Sequence, residues 1–223
     1  MNKFLKTFAA CAIGLLPVAT FAKTSEADQV RKIIDKVNQH WQAENKPEVR
    51  SFWDNAAYHT GNMEAYFLTG NETYRAYSEA WAKHNEWKGA KSNDHSKWKY
   101  SYGESDEYVL FGDYQICFQT YADLYNLAPE DYKIKRAREV MEYQMSTPNN
   151  DYWWWSDGLY MVMPVMTKLY KITHNSLYLD KLYEYITYSD QIMFDKEENL
   201  YYRDAKYVYP KHKSVNGKKD FWA

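Results

Sequence analysis

Cysteine is the scarcest reactive residue: 223 residues contain two, Cys11 and Cys117. Cys11 falls in a segment that reads as a cleavable leader, which would leave Cys117 as the only thiol and exclude an intramolecular disulfide. Charge of one sign is equally scarce. Twenty-eight Lys and Arg face thirty Asp and Glu, and removing Lys3 and Lys6 with the leader moves the formal charge from −2 to −4. A nucleic-acid footprint and a charged tail are therefore not expected. No His, Cys, Asp and Glu grouping has metal-ligand spacing, so no metal and no cofactor are expected. A Gly-rich phosphate loop and a serine nucleophile elbow are also missing.

The one clearly apolar run, "FAACAIGLLPVATFA" after Lys3 and Lys6, is shorter than the ~20 residues of a membrane span. It has the basic start, apolar middle and small-residue end of an export signal over 1–22. The remaining 23–223 is expected to be one domain. "FAAC" sits too early to serve as a lipid-attachment box, so a periplasmic or secreted protein is expected rather than a lipoprotein.

What the chain has in quantity is aromatic side chains, 18% of it, with nine Trp and twenty-three Tyr. They fall into a repeat. "WDNAAYHTGNMEAYFLTGNETY", "GDYQICFQTYADLYNLAPEDY" and "SDGLYMVMPVMTKLYKITHNSLY" each open on an Asp: Asp54, Asp113 and Asp157. Each then places one Tyr before a turn signal (Tyr66, Tyr125, Tyr170) and another after it (Tyr74, Tyr132, Tyr178). The spacing predicts three helix–turn–helix units, each Asp capping an apolar inner helix and an outer helix returning with charge on one face. Gly70 and Pro129 are breakers in the turns, and Pro164 is expected to kink the third inner helix. A further helix is expected over roughly 25–44, giving about seven in all. Inner and outer helices of this kind build an all-α toroid, and neighbouring repeats are needed to bury their faces. The polar and aromatic stretch 85–108 interrupts the period.

In such a toroid the inner helices start at one mouth, where the three Asp would converge. Each can be read as a helix cap or as a catalytic group. "DYWWWSDGLY" sets Asp157 two residues after the run Trp153, Trp154 and Trp155, which gives it the best claim to desolvation and a retained proton. The indoles themselves can be core or a sugar-stacking wall; three in succession cannot all face one way. His59 in "AAYHTGN" can be a hydrogen-bonded structural residue or a substrate contact.

"WDNAAYHTG", "GDYQICFQTYADLY", "WWWSDGLYMVMP" and "NLYYRDAKY…NGKKDFWA" resemble the unsaturated rhamnogalacturonyl hydrolases, glycoside hydrolase family 105, and the related unsaturated glucuronyl hydrolases of family 88. The resemblance implies an (α/α)6 barrel. It also implies removal of an unsaturated uronic acid from the non-reducing end of pectin-derived rhamnogalacturonan oligosaccharides, by hydration of the C4=C5 double bond. By the same resemblance Asp157 is the acid/base, Asp113 orients the sugar, and Trp155, with Trp154, lines the subsite. Tyr58, His59 and Asp54 belong to a substrate-facing first motif. In the family the sequence after "FWA" supplies a cavity arginine and a further inner helix, so 23–223 is expected to be the N-terminal part of the barrel. A second chain or a C-terminal half would complete it. Two other readings stand beside this one: a non-catalytic glycan-binding or scaffold repeat, and another α/α-toroid enzyme such as a polysaccharide lyase.

Overall fold

The computed structural model describes residues 25–221, so the expected export signal at 1–22, Cys11 and the last two residues of "FWA" lie outside the described residues. Helix α1 (Glu26–Glu44) leads into three hairpins. The first is α2 (Trp53–Thr69) with α3 (Glu72–His84). The second inner helix is interrupted at Ile116 into α4 (Gly112–Gln115) and α5 (Cys117–Leu127), and α6 (Tyr132–Ser146) returns along it. The third pairs α7 (Ser156–Thr173) with α8 (Leu177–Met193). A two-residue antiparallel ladder, β1 (Phe194–Asp195) with β2 (Leu200–Tyr201), follows. Counting α4 and α5 as one, the described residues hold the seven α-helices that the period implies. Helices α2, α5 and α7 lie side by side, with α3, α6 and α8 packed outside them. This is the inner-and-outer layering of an all-α toroid.

The turns form where the breakers stand. Gly70 ends α2 in the left-handed region at φ 69°, which only a residue without Cβ adopts at no cost, and its amide donates to the Tyr66 carbonyl. Pro129 follows the last residues of α5, and His174 takes the left-handed cap of α7. The core lies between the layers. Trp81, Tyr121, Phe118, Met141, Met166 and Tyr185 are all fully enclosed there.

The helix starts differ from the expected caps. Asp54, Asp113 and Asp157 are each the second residue of a helix, and the cap positions belong to Phe52, Phe111 and Trp155, none of which makes a side-chain cap bond. Burial of the aromatic ring fixes each start instead. The repeat is thus aromatic, any residue, Asp, two residues out of phase with a capping scheme.

The interrupting stretch is a structured arm. The Arg136 guanidinium on α6 donates to the Ala90 carbonyl at 3.1 Å and the Ser92 carbonyl at 2.5 Å, and lies 4.9 Å over the Trp98 ring. The Tyr114 hydroxyl donates to the Glu104 carbonyl, and Arg50 pairs with the Glu104 carboxylate at 2.7 Å. These bonds hold Tyr102 over the helix starts.

Pro164 sits inside α7 and has no N–H to offer the Tyr160 carbonyl one turn back. Gln119 of α5 supplies the missing donor: its Nε2 reaches the Tyr160 carbonyl at 3.0 Å and the Met161 carbonyl at 2.8 Å. Replacing Gln119 by Leu should therefore cost about 1–3 kcal/mol, because a buried carbonyl loses its partner. Pro164→Ala restores the intrahelical donor, so the same replacement in that background should cost less. Urea denaturation of the four proteins of the double-mutant cycle measures the coupling.

Candidate functional site

The starts of α4 and α7 meet around one indole. Trp155 is 7% exposed, and its ring packs in tilted contacts at 4.7 Å from Phe111 and 5.0 Å from Trp154. It packs closely on two glycines. A Cβ on Gly112 would come within 2.9 Å of its Cζ2, and one on Gly158 within 3.0 Å of its Cε2. Residues 203–205 strap it from outside: the Ser156 amide donates to the Arg203 carbonyl at 2.8 Å and the Ala205 amide to the Trp154 carbonyl at 2.9 Å. Trp155 and Asp204 pair as an isolated antiparallel bridge.

Around this indole opens a cleft of about 250 Å³. Trp53, Tyr102, Phe111, Trp154 and Trp155 supply its aromatic lining, and Asp113, Asp157, Arg203 and Asp204 its charge. Asp113 is 6% exposed, and its carboxyl is pushed up to about 7, first by desolvation and then by the charges of Asp157, Glu104 and Asp54. Asp157 is open to solvent. Desolvation raises its pKa too, but the backbone amides of Asp157 and Gly158 and the Arg203 charge pull the other way, as does its place in the first turn of α7. The stronger desolvation expected at Asp157 thus belongs to Asp113. Trp154 and Trp155 line the cleft with Asp157 but leave it exposed, whereas Asp113 meets the cleft from a buried position.

The three indoles divide. Trp153 points into the core against Tyr185, at 1% exposure, while Trp154 and Trp155 face the cleft. Two other expected contacts lie elsewhere. His59 is buried between the rings of Tyr77 and Trp81, bonded through Nδ1 to the Ser78 hydroxyl at 3.0 Å, and burial takes its pKa down to about 3. Tyr58 stacks on Trp41 and donates to Asn38 Oδ1 at 2.9 Å. Both belong to the packing of α2 on its neighbours. Asp54 is exposed at the rim, paired with Arg50 at 3.4 Å; its neighbour Trp53 is the residue that reaches the cleft. Tyr58 lines a larger groove of about 590 Å³ between α1 and α2, whose walls are Ile33, Val37, Ala65 and Leu68. That groove lacks a pair of carboxylates and offers no comparable chemistry.

Arg203, Asp204, Tyr102 and Trp53 were missed as site residues. The Asp204 carboxylate is buried, accepts the Lys206 amide at 2.8 Å and lies 3.6 Å from Arg203. The "YYRD" motif thus brings an arginine to the cleft. Among the described residues no group of acidic, His or Cys side chains could hold a metal ion.

A family model described as Glycosyl Hydrolase Family 88 matches residues 26–223. This is the second of the two related families that the sequence resembles. An unsaturated 3S-rhamnoglycuronyl hydrolase of Formosa agariphila is 28% identical over 184 residues, covering 77% of this chain and 46% of its own length. A solved structure described as a polysaccharide lyase is 73% identical, with a TM-score of 0.86 over 89% of this chain and 56% of its own. A glycosyl hydrolase family 88 structure from Bacteroides vulgatus is 64% identical, with a TM-score of 0.87 over 89% of this chain and 57% of its own. The chain spans about half the length of these relatives.

Asp113 makes stability depend on pH in a stated direction. Its folded pKa, about 7, lies above the 3.8 of the free side chain, so the folded state holds the proton more tightly. Its contribution is greatest below pH 3.8, declines as pH rises, and levels off above about 7. Asp113→Asn, which cannot ionise, should gain stability over the unmodified protein across that window. Urea midpoints taken from pH 4 to pH 8 read the difference.

Proposed function

The chain belongs to glycosyl hydrolase family 88, and from that membership we propose that it takes part in hydrolysing an unsaturated uronic acid from the non-reducing end of an oligosaccharide. The substrate we propose is the unsaturated galacturonyl unit of rhamnogalacturonan fragments. We place the work in the periplasm or outside the cell, on the strength of the export signal expected at 1–22. The observation that carries the reading is the pairing in one aromatic cleft of two carboxylates whose environments differ, with Arg203 beside them. The chemistry requires that combination.

The C4=C5 bond of the unsaturated uronide is an enol ether, polarised by the ring oxygen. A carboxylic acid delivers a proton to C4, and positive charge develops over C5 and the ring oxygen. Water adds at C5 and gives its proton back to the same carboxylate, so the residue ends as it began. The C5 hemiketal then opens, C5 becomes a ketone, and the hemiacetal left at C1 releases the next sugar. This differs from the two-carboxylate scheme of ordinary glycosidases, because the glycosidic bond itself needs no nucleophile. Asp157, open to the cleft, is placed to exchange the proton with substrate and water. Asp113, buried and holding its proton up to a pKa of about 7, can in its protonated form donate a hydrogen bond that fixes the ring. Arg203 supplies the counter-charge for the uronate carboxylate, and its guanidinium suits such a planar partner. The rings of Trp154 and Trp155 offer the apolar faces on which a pyranose stacks.

A second reading has one specific support, the polysaccharide lyase description of the 73% identical structure. The two make opposite changes in one assay. A hydrolase of this type consumes the conjugated double bond, and ultraviolet absorbance falls on an unsaturated rhamnogalacturonan disaccharide. A lyase creates that bond, and absorbance rises on saturated polymer. We expect the fall. Asp157→Asn should reduce kcat by 10²–10⁴ while disaccharide binding, followed by calorimetry, persists. Folded protein that leaves the unsaturated disaccharide untouched would rule out the hydrolase reading.

A further inference from the structure

On the outer side of the helical layer, between α8 and the turn that precedes α7, lies a pocket of about 240 Å³, close to the 250 Å³ of the carboxylate cleft. Asn150 of that turn and Tyr183, Glu184, Thr187, Tyr188 and Gln191 of α8 form it. Helix α8 buries Tyr178, Tyr185, Ser189 and Met193 along one side, and the pocket residues stand on the other. None of them lines the cleft, so the two cavities share no wall. The connection that carries Asn150 runs on to Trp154 and Trp155, which places the pocket at the mouth end of the layer.

Its lining is not that of an ordinary solvated helix face. Tyr183 is 73% exposed, more than any other Trp, Tyr or Phe of the described residues, and its ring packs on no other ring among them. The hydroxyls of Tyr183, Thr187 and Tyr188 and the side-chain amides of Asn150 and Gln191 have no hydrogen-bond partner among the described residues. Asn150 Oδ1 is buried as well, and a buried carbonyl without a donor carries a cost that an incoming hydroxyl would relieve.

Charge is nearly absent. Glu184 is the one ionic side chain of the lining, and Lys181 already holds its carboxylate at 2.6 Å. With no cation in its wall, the pocket gives a uronate, phosphate or sulfate nothing to pair with. What it presents is a bare ring face beside amides and hydroxyls that both donate and accept. Those are the complements of a neutral sugar, whose C–H faces pack on an aromatic ring and whose hydroxyls also donate and accept.

We propose that this pocket is a second carbohydrate site, which holds a neutral sugar unit of a glycan on the outer surface, apart from the place of chemistry. Tyr183 supplies the stacking face, and Asn150 and Gln191 supply the hydrogen bonds. The binding does not depend on the hydrolase reading, because none of these residues belongs to the cleft.

The test is calorimetry of the full chain with neutral tetrasaccharides of galactose, arabinose and xylose, and with tetragalacturonate. At least one neutral tetrasaccharide should bind, with an affinity that barely changes with ionic strength. Tyr183→Ala should weaken that binding by about threefold to tenfold, the size of one ring contact, and Tyr183→Trp should keep it. Asn150→Ala and Gln191→Ala should each weaken it by about twofold to tenfold. Tyr132→Ala, an exposed tyrosine outside the pocket, should leave the affinity where it was. Tyr183→Ala should also turn over the unsaturated disaccharide as fast as the unmodified protein does. Three outcomes in calorimetry overturn the proposal: no neutral binding up to tens of millimolar, equal neutral affinity of Tyr183→Ala and unmodified protein, or a Tyr183-dependent preference for tetragalacturonate. Loss of disaccharide turnover in folded Tyr183→Ala overturns it too, by tying Tyr183 to the cleft. If the unmodified protein turns over no disaccharide, the hydrolase reading alone fails, and calorimetry still decides the pocket.

Discussion

The seating of one indole on two glycines governs the geometry of this site. Trp155 occupies the cap position of α7, walls the cleft, and presses on the first turn of α4 through Gly112 and on that of its own helix through Gly158. Neither glycine has a positive φ, so the requirement is space alone. A methyl group at either position would have to displace the ring, and with it the relation between the two helix starts that carry Asp113 and Asp157. The Phe111 ring and the 203–205 strap close the remaining sides, so the indole has little room to adjust.

Fixing the helix starts so closely has an electrostatic consequence. The packing that encloses Asp113 also removes the water that would stabilise its charge, and three neighbouring carboxylates add to the effect. Asp157 sits in the same cleft but keeps solvent, two backbone amides and an arginine. Burial raises the pKa of both residues, but only at Asp157 do backbone amides and an arginine oppose the rise. Asp54, the third member of the set, lies outside the enclosure and pairs with Arg50 on the surface, and its charge adds to the rise at Asp113.

The hairpins were legible because their signal is periodic: a Tyr near the end of each inner helix, a breaker, and a Tyr entering the return helix. The fold class followed from that signal. The phase of the helix starts did not, because local capping preference favours Asp while tertiary burial here assigns the cap to an aromatic residue. Tyr58 and His59 illustrate a second limit. A motif places them near Asp54 in sequence, but the helix turns them towards α1 and α3, where stacking on Trp41, Tyr77 and Trp81 holds them. Arg203, Asp204 and Tyr102 come from segments with no helical period. Bonds between chain positions far apart carry them to the cleft, backbone ones for 203–205 and side-chain ones for the segment of Tyr102, and no local pattern reports such bonds.

The inner helices divide their length between chemistry and alignment. Their first turns hold the carboxylates. Their middles hold bonds between neighbours: Gln119 to the carbonyls of Tyr160 and Met161, the Thr60 hydroxyl to that of Tyr160 at 3.0 Å, and Lys168 to Asp123 at 2.6 Å. Such bonds matter at the mouth because packed helices slide in discrete steps. A shift of one turn would move a carboxylate by about 5.4 Å, and even an ångström of misplacement is costly in a reacting geometry. Pro164 opens a donor vacancy in α7 that only a side chain of α5 fills, so the correct alignment of these two helices is also the one that satisfies their backbone. The site at one end of the layer is thus held in place by polar bonds well below it.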